Sequence, residues 1–463
     1  MRIANHHVPQ ITAFLLCVEF LEAFASTYLG AMLRFLDSNY HYSPHREFFF
    51  ISGIAFAVAT AFSMSAFGLY RISYRKGIRN TLLRLIPSFA LSFSLITLLF
   101  YLLPDLYIGR GILGLVVLIA ASMIIGTRAL IFKFSEVGLL KSRIAFLGCG
   151  KLANECRTLA LNNTSYHHYE LVGFIPTEGE ECLVPVNELL TNNSDLTTVL
   201  KQHNVHEIVV SVMNRRGVQF PLQELLDCKL HGIKVIESTA FIEREACQIR
   251  VESLHPGWLI FGEGFNQSFL RKFGKQTFDL IISALIFVIT SPIMLLTSIF
   301  IYLEDRGPIF FRQERVGKNN STYMVLKFRS MRSDAEKNGV PQWACNNDPR
   351  VTRVGNIIRK LRIDELPQII NVLYGDMSFV GPRPERPYFV DQLCTEVPFY
   401  NLRHSIKPGI TGMAQVRYAY GASVEDSLQK LQYDLYYVKN NSLFLDALIL
   451  IDTVQVVLFG KGR

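Results

Sequence analysis

Four apolar stretches, each near the ~20 residues that a helix needs to cross a bilayer, fill the first third of the chain: Ile11 to Leu36, Phe48 to Tyr70, Leu82 to Leu103 and Ile108 to Phe132. A chain that carries them folds around a membrane, since only lipid or other helices can cover so much apolar helix surface. Four spans return the chain to its starting side. Arg71, Arg75, Lys76 and Arg79 follow the second stretch, and Lys133, Lys141 and Arg143 follow the fourth, whereas the third connection, "PDLYIGRG", is nearly neutral. Lys and Arg accumulate on the cytoplasmic side, so both ends of this block, residues 1–135, are expected there. Glu19 and Glu22 in the first stretch must then face the bundle interior or an aqueous boundary. These glutamates, and the lack of a small-residue cleavage site, argue against a cleaved leader.

Half of the residues are hydrophobic and the formal net charge is +8, which suits an anionic partner such as nucleic acid, phospholipid or a phosphorylated substrate. The eight cysteines are scattered without a Cys-x-x-Cys pair, so neither a zinc site nor a disulfide framework is expected.

Residues 142–253 change texture. "RIAFLGCG", "YELVGFIP", "EIVVSV" and "GIKVIE" alternate with helical patterns, the signature of a parallel α/β unit. "AFLGCGKLANECRTLA" places Gly148 and Gly150 where a dinucleotide-binding turn belongs, but Ala153 stands at the third glycine position and no acidic residue ends "YELVGFIP". A Rossmann-like module with a degenerate cofactor turn is the expectation. His203 and His206 lack a third ligand and read as the solvated end of a helix before a strand.

A third texture starts at Lys272. The segment 278–303 is apolar and long enough to span, yet Ser291 and Pro292 interrupt it. Proline removes a backbone donor and crowds the preceding turn, so a kink or break is expected. Arg271, Lys272 and Lys275 flank one end and Arg306, Arg312 and Arg315 the other. That symmetry favours a broken helix that enters one leaflet and returns, with a kinked span as the alternative. Beyond it, "GPIFFRQERVGKNNSTYMVLKFRSM" reads as two short strands joined by a Gly-Lys-Asn-Asn turn. Lys327 and Arg329 alternate along one face, and Arg350, Arg353, Arg359, Arg362, Arg383 and Arg386 follow. Such a wall suits phosphate. The aromatics form no stacking platform for nucleic acid, which is not expected as a partner. Among these cations sit two adjacent carboxylates, Asp364 and Glu365, ahead of "LPQIINVL", whose Pro367 belongs in a first helical turn. Asp364 is therefore placed at or near a helix N-cap. It could be a plain cap. It could also be a nucleophile toward phosphorus, with Glu365 supplying oxygen to Mg²⁺.

From about Lys272 to Arg463 the sequence closely resembles the bacterial sugar transferase family, the polyprenyl-phosphate hexose-1-phosphate (phosphoglycosyl) transferases that begin exopolysaccharide and O-antigen assembly. The resemblance is carried by the Ser291-Pro292 interruption, "GPIFFRQERVG", "KFRSM", "DPRVTRVG", "RKLRIDELPQIINVLYGDMSFVGPRPE", "KPGITGMAQV" and "YDLYYVKN". The N-terminal regions look like those of the long-form members, and "YGASVEDSLQKLQYDLYYVKNNS" resembles the exosortase-linked subgroup. The resemblance implies that Asp364 takes a phosphosugar from a UDP-sugar with release of UMP, that Glu365 holds Mg²⁺, and that Lys327, Arg329, Arg383 and Glu385 position phosphates and nucleotide. Arg353 and Arg362 are further substrate-binding candidates within the same arginine wall. It further implies undecaprenyl phosphate as acceptor, glucose or galactose ahead of N-acetylated sugars, a re-entrant membrane helix, and a cytoplasmic catalytic domain at the bacterial inner membrane among its lipids. The large membrane block leaves room for a homodimer. Two other functions compete: a membrane-tethered nucleotide-sugar dehydratase, which needs an intact glycine fingerprint and a helical Tyr-x-x-x-Lys where this chain has that spacing at Tyr323 to Lys327 in the strand-like "TYMVLKF", and a non-enzymatic scaffold. The expected architecture is a four-helix transmembrane block, a Rossmann-like module at 142–253, and a mixed α/β catalytic domain at 272–463 anchored by a broken re-entrant helix.

Overall fold

The computed structural model describes residues 2–3, 6–7, 10–35, 46–70, 77–136, 142–162, 169–177, 180–190, 195–212, 220–251, 269–332, 350–418, 421 and 423–459. Arg71, Arg75, Lys76, Lys141 and the "DP" of "DPRVTRVG" lie outside the described residues. The chain divides into two compact units, His7–Ala246 and Cys247–Arg463, the second also holding Arg2–His6.

In the first unit the four apolar stretches are the helices Gln10–Arg34, Arg46–Ala66, Gly77–Leu102 and Arg110–Glu136. Each is long and apolar enough to cross a membrane. Their polar groups are turned inward. Glu19, 1% exposed, accepts from Arg128 Nε at 2.6 Å and from Nη2 at 3.0 Å, while Arg128 Nη1 donates to the Leu69 carbonyl at 3.1 Å. Thr127 donates to Glu22. The inward glutamates match the expectation, and Arg128 supplies the counter-charge that makes a buried carboxylate tolerable in a bundle.

The same unit contains a four-stranded parallel sheet, ordered Tyr169–Ile175, Ser142–Leu147, Glu207–Val210, Lys234–Glu237. Alternation along the strands serves two cores: Ile144, Phe146 and Val209 on one face, Ala145, Leu147, Ile208 and Val210 on the other. Helices on both faces explain why the two central strands, Ser142–Leu147 and Glu207–Val210, carry continuous apolar runs. At the glycine turn, Glu180 accepts from the Cys149 amide and the Thr177 hydroxyl, each at 3.0 Å. A Cβ on Gly150 would meet the Glu180 carboxylate at 2.3 Å. The protein's own carboxylate thus occupies the space against the glycine turn. His203 ends the helix Leu196–Gln202, and His206 Nδ1 accepts from the Arg143 amide at 3.1 Å.

The second unit begins earlier than the sequence suggested. Residues 247–251, expected in the α/β module, belong to it: Ile249 donates to the Gln432 carbonyl, and Ile249 and Val251 share a core with Val316, Val380 and Tyr436. Phe310–Val316 and Thr322–Phe328 form the antiparallel hairpin, Arg315 opposite Tyr323 and Phe311 opposite Lys327. Tyr323 and Lys327 lie on a strand, not on the helix a dehydratase requires. A two-stranded parallel sheet, Ser378–Val380 with Gly409–Thr411, and the helices Pro387–Glu396, Val424–Asn440 and Leu443–Phe459 complete the unit.

The membrane segment corrects a second expectation. Phe269–Asp305 is a single helical run of 37 residues with Pro292 inside it, and no break separates two helices. Pro292 cannot donate to the carbonyl of residue 288, four positions back. The Ser291 hydroxyl donates to that Val288 carbonyl instead, at 2.9 Å. The Ser-Pro pair thereby replaces the bond that its proline removes.

The Glu19–Arg128 pair gives the first prediction. Removing one partner of a buried pair leaves an uncompensated charge, at a cost of about 3–5 kcal/mol, whereas an apolar replacement of both is close to neutral. Glu19→Leu should markedly lower the melting temperature of the detergent-solubilised protein, and adding Arg128→Met should recover most of the loss. A loss in the double variant equal to the sum of the two single losses would show that the two side chains do not depend on each other.

Candidate active site

Arg362 turns the chain sharply. Its left-handed backbone (φ 59°, ψ 18°) lies between the helix Arg353–Lys360 and a 3-10 turn, Ile363–Glu365, a conformation that non-glycine residues seldom adopt. The turn brings the two carboxylates to the hairpin. The following helix, Gln368–Tyr374, is fastened to the hairpin by Asn371, whose Oδ1 accepts from the Leu326 amide and whose Nδ2 donates to the Met324 carbonyl, each at 2.9 Å. One amide side chain thus satisfies both backbone groups that strand Thr322–Phe328 presents to the helix. Asp364 does not cap this helix: Pro367 is its first flanking residue and makes no side-chain cap. Asp364 thus lies near the helix N-terminus, as expected, but a 3-10 turn intervenes and it does not serve as the cap.

Those cations converge on Glu365. Its Oε1 accepts from Arg383 Nη2 at 2.7 Å and from Lys327 Nζ at 3.3 Å, and Oε2 lies 3.6 Å from Arg362 Nη1. Burial would raise the Glu365 pKa, but Arg383, Lys327 and Arg362 together outweigh it and hold the carboxyl well below its usual range. Asp364 behaves oppositely. Burial and then the adjacent Glu365 charge push it up to about 6. Among the described residues no hydrogen bond reaches the Asp364 carboxylate. The pair is chemically unequal: Glu365 is an anchor held by three cations, with both hydrogen bonds on Oε1, and Asp364 a carboxylate with its oxygens uncommitted.

Arg383 sits in a loop built to hold it still. Pro382 and Pro384 lack N–H groups and fix their own φ, and each of the four carbonyls from Pro382 to Glu385 is fastened. Gly409 N–H donates to the Pro382 carbonyl at 2.9 Å, Arg403 Nη2 to that of Arg383 at 2.8 Å, Arg315 Nη1 to that of Pro384 at 3.0 Å, and Val316 N–H to that of Glu385 at 2.9 Å. At Gly381 a Cβ would meet the Lys407 carbonyl at 2.5 Å, so only glycine fits. Arg315 also lies 3.5 Å from the Glu385 carboxylate.

The expected residues divide into two groups. Lys327, Arg362 and Arg383 gather on Glu365, and Glu385 stands next to them through Arg315. Arg329 and Arg353 are not among the groups on Glu365: Arg329 pairs with Asp305, and the Arg353 backbone amide, not its side chain, donates to Glu304 Oε1 at 2.8 Å. Both fasten the end of the membrane helix to this domain. The alternation rule failed for Arg329 because the strand ends at Phe328. Asn371, Arg403 and its partner Asp434 were not singled out in the sequence; their bonds reach across the fold, and no local spacing marks them.

The profile described as "Bacterial sugar transferase" matches residues 270–460. Three relatives share this region. A protein named "UDP-N-acetylgalactosamine-undecaprenyl-phosphate N-acetylgalactosaminephosphotransferase" from Aeromonas hydrophila is 44% identical over 238 residues, 51% of this chain and 55% of the relative. An "Undecaprenyl-phosphate glucose phosphotransferase" from Komagataeibacter xylinus is 32% identical over 340 residues, 70% and 60%. The match thus spans little more than half the length of these two. An "Exopolysaccharide production protein PSS" from Rhizobium leguminosarum bv. phaseoli is 40% identical over 198 residues, 41% of this chain but 97% of the relative. With its paired carboxylates, cation cluster and pinned arginine loop inside the matched stretch, the chain belongs to the bacterial sugar transferase family.

Proposed function

We propose that the protein transfers a sugar phosphate from a UDP-sugar to undecaprenyl phosphate, releasing UMP, at the cytoplasmic face of the bacterial inner membrane as the first membrane step of exopolysaccharide synthesis. The observation that carries this reading is the inequality of the two carboxylates: Asp364 is uncommitted while three cations hold Glu365. An Asp364 oxygen attacks the phosphorus that bears the sugar; the bond from that phosphorus to the bridging oxygen breaks, and UMP leaves with the electron pair. The result is a phosphosugar ester on Asp364. An oxygen of the acceptor phosphate then attacks the same phosphorus, expels the Asp364 carboxylate and yields the sugar diphospholipid. Lys327, Arg362 and Arg383 stand where charge develops on the phosphoryl oxygens, and Glu365 fixes their positions. Burial pulls the Lys327 pKa down and Glu365 partly offsets this.

The donor set fits Mg²⁺, because this ion takes one or two carboxylates and fills its remaining positions with water and substrate phosphate. Glu365 Oε2 is the oxygen of that residue not hydrogen-bonded to Arg383 or Lys327, and with phosphate oxygens it would hold the ion. Bound there, Mg²⁺ would neutralise charge on the diphosphate.

A re-entrant course for the helix Phe269–Asp305 is supported by its contacts. Near its start Lys275 pairs with Asp446 at 2.8 Å and Asp279 accepts from the Phe379 amide at 3.1 Å. At its end Glu304 and Asp305 hold Arg353 and Arg329. Both ends touch one catalytic unit, so with that unit on one side of the membrane the unbroken helix would bend at Pro292 and return to the same side. The sugar remains a choice between hexose and N-acetylhexosamine, since the relatives' names include glucose and N-acetylgalactosamine.

Purified protein, undecaprenyl phosphate and a panel of UDP-sugars test the reading: UMP and a sugar diphospholipid should appear with one sugar and require no nicotinamide. No UMP from any donor would refute it. Asp364→Asn should reduce turnover roughly a thousandfold or more in a folded protein, and Glu365→Gln on the order of a hundredfold by loosening Arg383 and Lys327. Wild-type turnover in folded Asp364→Asn would exclude the nucleophile role. For topology, Arg306→Cys in a background without native cysteines should resist an impermeant thiol reagent in intact cells and react after lysis. Labelling from outside would establish a span.

A further inference from the structure

Of the four bonds on the carbonyls from Pro382 to Glu385, the one on the Arg383 carbonyl comes from a guanidinium that is itself buried. Arg403 is 5% exposed and Asp434 is 1% exposed. Arg403 Nη2 lies 2.8 Å from Asp434 Oδ2 and 2.8 Å from the Arg383 carbonyl, and Nη1 donates to the Tyr400 hydroxyl at 2.6 Å. Its planar fork reaches three partners at once, which a lysine cannot do. Asp434 is carried by the long helix Val424–Asn440, whose Ser423–Asp426 capping box fixes its start, and Leu431 and Leu435 set that helix in the main core. Tyr400 lies on the turn Tyr400–Ser405. A buried ion pair packs no better than two apolar side chains and carries a desolvation cost. What it supplies here, and apolar residues cannot, is a directed donor to one carbonyl of a loop that has lost two of its own amides.

We infer that Arg403 and Asp434 are positioning residues for Arg383: the pair, braced by the core helix, sets the backbone from which Arg383 reaches Glu365 and the substrate phosphate. The inference rests on the reading of Arg383 as a phosphate-facing residue. Its consequence is a coupling between two side chains that act through one backbone oxygen. Displacing a catalytic cation by a fraction of an ångström to 1 Å lowers turnover by on the order of 10- to 100-fold, and does so only while that cation is present.

The test is a cycle of Arg403→Lys and Arg383→Ala, singly and together, with Asp434→Asn as a second way to loosen the clamp without removing volume. UMP release from the UDP-sugar that the wild type turns over, and the melting temperature, are measured for each. Arg403→Lys and Asp434→Asn should each lower kcat 10- to 100-fold in folded protein. In the Arg383→Ala background Arg403→Lys should cost less than about twofold more, although it lowers the melting temperature equally in both backgrounds. Full additivity of the activity losses, wild-type turnover in folded Arg403→Lys, or failure of both clamp variants to fold would assign the pair to holding the fold and overturn the inference. A fully active Arg383→Ala would overturn the site reading itself, and this inference with it.

Discussion

The site depends on the charge of one buried side chain, the Glu365 carboxylate. Three cations from three different segments meet there: Lys327 from the end of a strand, Arg362 from a left-handed turn, and Arg383 from a proline-bounded loop. Without that anion their mutual repulsion would drive the segments apart; with it, they converge within hydrogen-bond or ion-pair distance of one point. Because Glu365 is committed to these contacts, its neighbour Asp364 is left with uncommitted oxygens beside an electropositive wall. Two adjacent residues of nearly the same chemistry are thereby given different ionisation behaviour by their surroundings.

The scaffold around this point is stiff where the chemistry needs it. Asn371 locks the helix after the carboxylates to the hairpin. All four carbonyls from Pro382 to Glu385 are bonded. The strand before that loop is tied to the membrane helix through Asp279 and to the C-terminal helices through the Tyr437 hydroxyl, which donates to Val380 O at 3.0 Å. A substrate whose lipid stays in the bilayer and whose phosphate enters this site would meet a catalytic loop registered directly to the membrane segment.

Much of this was legible in the sequence because it follows from local rules. The four apolar helices, the alternating strands and the hairpin turn all obey periodicity or turn chemistry, and the Asp-Glu pair among arginines announced phosphate chemistry. What was not legible depends on partners distant in the chain. Pro292 was expected to break a helix, and the Ser291 hydroxyl offsets the lost bond. Arg329 shared a strand pattern with Lys327, but Asp305 claims it. Asp364 is near the helix start, as its spacing suggested, but an intervening 3-10 turn keeps it from capping the helix. Arg403 and Asp434 had no local mark, since an ion pair between a 3-10 turn and a remote helix leaves no spacing to read.

The central claim is that Asp364 becomes covalently bonded to phosphorus. Rapid-quench incubation of the purified protein with its UDP-sugar and no lipid acceptor, followed by mass analysis of the peptide containing Asp364, tests it most directly. The account predicts up to one UMP released per active site and a phosphosugar mass on Asp364 that disappears when undecaprenyl phosphate is added. UMP release that depends strictly on the acceptor, with no adduct on that peptide at any quench time, would contradict it and point to direct transfer between the two bound substrates.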